Sequence, residues 1–216
     1  MSALRFSSLI ILFPILFGSC GRSELIRIRM LAPVNEAKKD HSILTNTNES
    51  PTPTYTNTSS GASLYFLLKS IGLGYTTVTT KFEKIGTNLK LKETTTLKTN
   101  FADVAFGIGE NYSFMWGAGI LTGGERKTEL DYGNNAPFEL SNNYLGGHSL
   151  FFVLGHHGFG FETLLGYRMN RITSEFDGTK IPDYMGKSPT EKDVSYESPN
   201  IRLITAQVQL GIGFTF

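Results

Sequence analysis

The sequence has little of several features that would place a protein in a common class. Its 216 residues contain one cysteine, Cys20, so a disulfide within the chain is excluded. There is no run of eighteen apolar residues, which excludes a transmembrane helix. The net charge is only +1 and gives no reason to expect a nucleic acid as partner. Neither a phosphate-binding loop nor a complete dinucleotide-binding glycine motif is present, so no cofactor is expected.

Glycine and phenylalanine are plentiful instead, with 23 and 16 residues, and they occur in short alternating segments. The last segment is the clearest. From Ile204 to Phe216 the even-numbered residues are all apolar, and the odd-numbered ones are Thr, Gln or Gly. This period of two predicts a β-strand with one apolar face. Five further segments alternate in the same way, so residues 62–216 are predicted to form an all-β domain. The five segments are residues 71–83, 100–109, 113–123, 143–155 and 159–172.

The predicted connections alternate between short and long. The sequences GENY (109–112) and GHHG (155–158) are typical of tight turns, whereas residues 124–143 and 175–200 are long polar stretches. The Lys- and Thr-rich residues 83–100 form a third long connection and are predicted to be the tip of an extended hairpin. All long connections would then lie at one end of the sheet, and both chain ends would lie at the other. Transmembrane barrels of bacteria show this asymmetry, with short periplasmic turns and long external loops. A β-sandwich in water has no reason to show it.

Charged and amide side chains lie on the less apolar face of these strands. Asp103, Glu162 and Arg168 share that face with Gln207 and Gln209. In the core of a soluble sandwich so many polar groups would be costly. In a small barrel they can fill the lumen while the apolar face meets lipid. We therefore expect Asp103, Glu162 and Arg168 to belong to a structural lumen network, with Asp103 as a candidate partner of Arg168.

The first residues are typical of an export signal. Arg5 precedes a nine-residue apolar run, Leu9–Phe17, which is followed by small residues and Cys20. The sequence LFGSC resembles a relaxed bacterial lipobox, in which the cysteine after the cleavage site is lipidated. Lipidation of Cys20 and plain cleavage nearby are both open. Residues 1–20 are thus predicted to be a signal peptide, and residues 21–61 a flexible segment that is rich in Thr, Asn, Ser and Pro near its end.

The C-terminus resembles the targeting signal of outer-membrane barrels. In QLGIGFTF that signal would consist of Gln209, Gly211, Phe214 and the final residue, Phe216. The resemblance implies that the barrel-assembly machinery reads the last strand before it pairs with the first. In size and layout residues 62–216 resemble the small OmpA-type and OmpX-type outer-membrane domains. This resemblance implies an antiparallel up-and-down transmembrane β-barrel in the bacterial outer membrane, with membrane lipids as neighbours and an unidentified extracellular ligand.

Barrels of this kind have at least eight strands, whereas six are clear in this sequence. A change of phase near Ser70 could divide one segment into two strands, although no good turn sequence lies there. A further pair could lie within the long loops, or six strands could close only in an oligomer. We expect eight strands and leave the position of the additional pair open.

No residue pattern assigns a catalytic or metal site. His148 and Ser149 resemble the base and nucleophile of outer-membrane lipid deacylases, but adjacent strand residues point to opposite faces and cannot form a dyad. His156 and His157 lie in a predicted turn without further metal ligands at suitable spacing. The main hypothesis is a filled outer-membrane barrel with a structural or surface-interaction role. The alternatives are a lipid-modifying enzyme of the outer membrane and a lipid-anchored protein with a soluble β-fold.

Overall fold

The structure is a computed structural model of the chain. It describes residues 26–36, 54–85, 92–131, 138–142, 144–158, 160–174 and 201–216. None of these residues belongs to a helix long and apolar enough to span a bilayer. They form nine strands: β1 (Ile26–Glu36), β2 (Thr54–Leu68), β3 (Ile71–Ile85), β4 (Lys92–Ile108), β5 (Tyr112–Asp131), β6 (Phe138–Asn142), β7 (Leu145–Gly158), β8 (Phe161–Ser174) and β9 (Ile201–Thr215).

Eight of the nine described strands close into one ring. Neighbours along the chain pair antiparallel from β1 to β5, β5 then pairs with β7, and β9 returns to β1. The strand β6 pairs only with the far part of β5 and is not a member of the ring. At the seam, Phe216 N–H donates to the carbonyl oxygen of Ile26 with an N···O distance of 2.9 Å, and the reverse bond measures 3.2 Å. The prediction of an all-β, antiparallel up-and-down barrel with eight strands is confirmed.

The register of the strands sets the width and the tilt of the ring. A line of paired residues that starts at Gln207 on β9 returns to β9 at Thr215 after one circuit, eight residues further along. Eight strands with a shear of eight are tilted by about 36° to the barrel axis. An interior of this size is just wide enough to be filled by side chains.

Side chains alternate between the lumen and the outer face of the ring. Polar side chains lie inside and apolar ones outside, which is the reverse of a soluble protein. On β8, Glu162 and Arg168 face the lumen and are buried, whereas Leu165 faces outward. The outward side chains have no second layer over them among the described residues. Leu73 is 68% exposed and Ile120 is 65% exposed. The apolar side of the strands therefore lies on the surface of the ring.

The outward apolar side chains form a continuous apolar belt around the ring. On β5 the belt extends from Tyr112 at one edge to Ile120 at the other. Eight residue steps along a strand tilted by about 36° correspond to about 22 Å along the barrel axis. The apolar band of outer-membrane barrels is about 25 Å tall. Beyond the belt the outward positions are polar, as at Asn100 and Arg171.

The two ends of the ring differ. One, the turn end, carries the short connections at Lys69–Ser70, Gly109–Asn111 and Gly160, together with Ile26 and Phe216. The opposite one, the loop end, carries the longer connections, whose central residues lie outside those described. At the loop end several strands continue beyond the belt, and β6 joins them. We call this part the projecting wall; it consists of residues 54–60, 77–85, 92–100, 123–131 and 138–142.

Two strands of the ring were missing from the sequence prediction. The whole of β1 and the beginning of β2 lie within residues 21–61, so the prediction of a flexible segment was wrong for residues 26–36 and 54–61, and the barrel boundary at residue 62 was wrong as well. The rest of that segment lies outside the described residues. The first part of β2 is rich in Thr and Ser because it lies beyond the belt, where a strand needs no apolar face. Cross-strand hydroxyl pairs stabilise it there, such as Ser59 Oγ and Thr80 Oγ1 at 2.9 Å.

The change of phase near Ser70 is a turn between two strands. Lys69 has a φ of 57°, a left-handed conformation that is uncommon outside glycine, so the sequence shows no turn signature. Because the ring of eight strands closes within one chain, closure through an oligomer is not needed. The predicted turn at 155–158 was misplaced. Those residues end β7, and the turn follows at Gly160, whose φ is 87°.

Two of the long connections are largely built from strands, and the extended hairpin predicted at residues 83–100 is confirmed by the pairing of β3 with β4. Residues 83–100 contain the end of β3 and the beginning of β4, and residues 124–143 contain the end of β5 and all of β6. The polar composition of residues 124–143 had suggested a loop, but this segment is in the projecting wall, where both faces of a strand can be polar. The third stretch, residues 175–200, lies outside the described residues, as does the signal peptide predicted at 1–20.

Candidate functional site: the lumen network and the projecting wall

Arg168 is the centre of the larger polar cluster in the lumen. Its guanidinium forms a bidentate ion pair with Asp103, with N···O distances of 2.8 and 2.9 Å, and both side chains are fully buried. Further N–H groups donate to Ser149 Oγ at 2.6 Å and to Asn170 Oδ1 at 3.0 Å. The guanidinium also lies 4.7 Å from the centre of the Phe101 ring. A buried charge is tolerated when its charge and its donors are matched in this way.

Glycine at position 119 makes room for this cluster. A β-carbon on Gly119 would collide with Asp103 Oδ1 and would lie 2.7 Å from Ser149 Oγ. The pattern of alternating glycines in the sequence therefore reflects space that large lumen side chains from neighbouring strands occupy. The ion pair and the glycine belong to one packed unit.

A second polar cluster lies nearer to the turn end. Arg29 Nε donates to Glu162 Oε2 and Arg29 Nη2 donates to Glu162 Oε1, both at 2.8 Å. Ser113 joins the pair: its hydroxyl accepts from Arg29 Nη2 at 2.7 Å and donates to Glu162 Oε1 at 3.0 Å. Arg27 lies next to this cluster, and its guanidinium donates to the carbonyl oxygen of Gly109 at 2.7 Å. The guanidinium groups of Arg27 and Arg29 are thus held by residues that are far apart from β1 in sequence.

Apolar side chains fill the lumen between the two ion pairs. The ring of Tyr65 packs against that of Phe151, with centroids 5.0 Å apart. The members of this layer are all buried: Leu31, Tyr65, Leu67, Ala105, Met115, Phe151, Val153 and Leu164. The lumen is therefore a packed interior with polar and apolar layers, and this part of the ring is not a water-filled channel.

The structure gathers the three predicted lumen residues into two different clusters. Asp103 and Arg168 bond to each other, whereas Glu162 bonds to Arg29. Arg29 had escaped sequence reasoning because the motif LIRIRML offers only a few alternating residues. Arg27 and Arg29 alternate in that motif with the outward residues Ile26, Ile28 and Met30, so its period of two was the signal that could have found Arg29.

His148 and Ser149 lie on opposite faces of strand β7. Ser149 is buried in the lumen and accepts a hydrogen bond from Arg168, whereas His148 is exposed on the outer face. A serine in that position has no base to activate it. Within the described part of the chain, no group of three or more His, Cys, Asp or Glu residues could hold a metal ion. The geometry gives no support to the lipid-modifying enzyme.

The projecting wall carries its ion pairs on the outside. Lys127 contacts Glu139 at 2.8 Å and Glu129 at 3.0 Å, with each side chain more than a third exposed. Hydrogen bonds to Glu139 and then to Glu129 raise the pKa of Lys127 above its ordinary value. On the neighbouring strands, a hydrogen bond from Lys81, assisted by the charge of Lys92, lowers the pKa of Glu83. The outer surface of the wall is thus polar, and its two signs of charge are interspersed.

The residues of the predicted assembly signal lie on both faces of β9. Gln209 is buried and donates to Ser63 Oγ at 3.3 Å, and Gly211 faces the lumen beside Leu31. Phe214 and Phe216 are exposed at the turn end of the belt. Cys20, the predicted lipidation site, lies outside the described residues.

Comparisons with known proteins give a resemblance in layout. No family model and no curated protein matches the sequence. Among solved structures, the chain is similar to Ail, the attachment invasion locus protein of Yersinia pestis, crystallised with the heparin analogue sucrose octasulfate. The identity is 14%, the TM-score is 0.42, and the match covers 89% of this chain and 97% of that one. It is also similar to Neisserial surface protein A, with 12% identity, a TM-score of 0.38, and coverage of 91% and 100%.

Similarities of this size carry no functional inference. The architecture itself is defined by this chain's own strand pairing. An antiparallel ring of eight strands, with its short turns, the start of its first strand and the end of its last strand at one end and its longer connections at the other, is the architecture of small bacterial outer-membrane β-barrels.

Proposed function

We propose that this protein is an integral β-barrel of the bacterial outer membrane, with a filled lumen and a surface-interaction role exerted through its loop end. The observation that carries the proposal is the inverted polarity of the ring. Arg168 and Asp103 are buried on the inside, and side chains such as Leu73 and Ile120 are exposed on the outside. Hydrocarbon is the surrounding in which both placements are favourable.

The size of the exposed apolar surface supports insertion into a membrane. Among the described residues, twenty-five large apolar side chains are at least 37% exposed. Exposing such a side chain to water instead of burying it costs about 1.5–3 kcal/mol. Soluble monomers rarely expose contiguous apolar patches larger than a few hundred Å². A lipid-anchored protein with a soluble β-fold would need its core on the face that is bare here.

The position of the two strand ends at the seam of the ring supports an orientation. Ile26 and Phe216 both lie at the turn end, which is the periplasmic end of bacterial barrels. The projecting wall then faces the exterior. The bonds that join Phe216 to Ile26 also fit a last strand that is recognised during assembly and then closes the ring, and we retain Gln209, Gly211, Phe214 and Phe216 as the proposed signal.

The projecting wall is the surface we assign to interactions. The packed lumen rules out passage of large solutes through the layer that holds Tyr65 and Phe151, so transport is not the role that the ring supports. At the loop end, by contrast, strands extend beyond the belt and present alternating charges. Rigid strands position a recognition surface more accurately than a free loop does. Lipidation of Cys20 stays a prediction.

Labelling of single cysteines in intact cells tests the orientation. Glu139→Cys places a thiol on the projecting wall, and Lys69→Cys places one in a turn at the opposite end. A membrane-impermeant maleimide should label the first variant in whole cells and the second only after the outer membrane is permeabilised. The parent chain, whose one cysteine is Cys20, sets the background. Equal labelling of both variants in whole cells, or recovery of the protein in the aqueous fraction without detergent, would overturn the proposal.

A further inference from the structure

A groove of about 380 Å³ lies on the outer face of the ring at the turn end. It crosses β5, β7, β8 and β9. Tyr112 and His156 form its foot at the edge of the apolar belt, and Leu154, Leu165 and Leu210 line it further up. Leu210 lies six residues from the C-terminal Phe216, so the groove climbs toward the middle of the belt.

A small residue on β8 makes the groove. Thr163 stands between Phe161 and Leu165 on the outward face, and its paired residues on the neighbouring strands are His156 and Ile212. The next outward positions on those strands are Leu154 and Leu210. Its hydroxyl donates to the carbonyl oxygen of His156 at 3.3 Å, so the hydroxyl is satisfied within the protein. The outer surface of the ring is therefore recessed at Thr163, and no unsatisfied polar group is left there in the belt.

The foot of the groove carries hydrogen-bond donors at the level of the membrane boundary. The rings of Tyr112 and His156 are stacked with centroids 4.8 Å apart, and Tyr112 is 76% exposed. Phenol O–H and imidazole N–H groups can both donate to phosphate oxygens. Tyrosine is also enriched at the height of lipid headgroups. The groove thus combines a polar foot with an apolar trough.

We propose that the groove binds one glycerophospholipid of the leaflet that faces the turn end. Its phosphate lies at Tyr112 and His156, and one acyl chain lies along Leu154, Leu165 and Leu210. The proposal rests on the membrane insertion proposed above. The groove is continuous with the apolar belt, so the molecules that reach it are those of the bilayer. A lipid fits both parts of it, whereas a soluble peptide would have to displace hydrocarbon from the belt.

Native mass spectrometry of protein released from phospholipid nanodiscs tests the proposal. Thr163→Leu fills the recess, and Ala118→Leu adds the same side chain to the outer face of β5 as a matched control. The parent and Ala118→Leu should retain one phospholipid. Retention by Thr163→Leu should fall by about fivefold, a loss equivalent to one or two methylene contacts. Replacement of both donors, Tyr112→Phe with His156→Phe, should reduce retention of the lipid while the trough stays intact.

Equal retention by the parent and Thr163→Leu would overturn the proposal, as would retention of lipopolysaccharide in preference to phospholipid by protein taken from cells. Heat-modifiable migration of each variant on gels is measured in parallel. Variants that show it have folded in the membrane, so a failure of the lipid site is then distinguishable from a failure of membrane insertion.

Discussion

The ion pairs in the lumen and those on the outer face of the projecting wall consist of the same kinds of charged group, but the first are buried and the second are exposed to water. Arg168 and Asp103 are fully buried and joined by two bonds, whereas Lys127 and Glu129 are both more than a third exposed. Breaking a buried pair by removing one partner leaves an uncompensated charge and costs about 3–5 kcal/mol. Exposed pairs contribute little because water and salt screen them. The lumen pairs therefore define the ring, and the wall pairs leave the outer surface free to vary.

The two faces of a strand also have different roles within the belt and beyond it. Within the belt the outward side chains need only be apolar, and the lumen side determines which residues pack together. Beyond the belt this distinction fades, since both faces of β3 and β4 carry Thr or charged residues. The two faces of a strand thus differ most clearly within the belt, where the outer face is uniformly apolar.

The largest effect is expected at the centre of the lumen. Asp103→Ala should lower the free energy of unfolding by about 3–5 kcal/mol, because Arg168 stays buried without its counter-charge. Urea unfolding in lipid vesicles, followed by tryptophan fluorescence, measures it. The double variant Asp103→Ala with Arg168→Leu should recover much of the loss. Lys127→Ala on the wall should unfold like the parent. A double variant as unstable as Asp103→Ala alone would contradict the account.

An intermediate effect is expected where the lumen is tightly packed. Gly119→Val should destabilise the ring by about 1–3 kcal/mol, because the added carbons collide with Asp103 and Ser149. The adjacent Ala118→Val provides a matched control, since Ala118 faces outward. The same unfolding assay should show little change for that variant. If the two substitutions were equally harmful, lumen and outer face would not differ as described.

The smallest effect is expected on the projecting wall and depends on pH. A lowered pKa of Glu83 means that its stabilising contribution is present above the ordinary glutamate pKa, about 4.3, and is lost as the pH falls through the lower folded value. An NMR titration should place the Glu83 midpoint below the ordinary glutamate pKa. The midpoint should move upward in Lys81→Met, which removes the largest cause. A midpoint unaffected by that substitution would mean that the Lys81 bond does not form.

The sequence predicted six strands of the ring well and the first two poorly, for a physical reason. Lipid imposes a uniform demand on every outward residue, so alternation over a dozen residues, as in β9, was sufficient to identify a strand. The far part of β2 faces water on its outer side, and its Thr and Ser residues gave the composition of a linker. In β1 the inward residues include Arg27 and Arg29, and a six-residue alternation is too short to stand out.

The pairing inside the lumen was also only partly predictable. A charge on an inward face requires an opposite charge nearby, and Asp103 was predicted as a candidate partner of Arg168. The partner of Glu162 depended on β1 closing against β9, and that contact spans 133 residues of sequence. The alternation of side chains in the sequence predicts which face of the strand a residue lies on. Its partner depends on the register between strands, which the sequence pattern does not give. The turn at Lys69 shows the same limit, since its left-handed backbone is imposed by the strands on both sides.

The most direct test of the central claim uses Trp116, the only tryptophan of the chain, which faces outward near the middle height of the belt. Fluorescence is measured in vesicles whose phospholipids carry bromine at different depths along the acyl chains. The account predicts strong quenching by bromine deep in the bilayer and little quenching by iodide in the aqueous phase. Strong quenching by iodide without quenching by the brominated chains would show that water, and not hydrocarbon, covers the outer face of the ring.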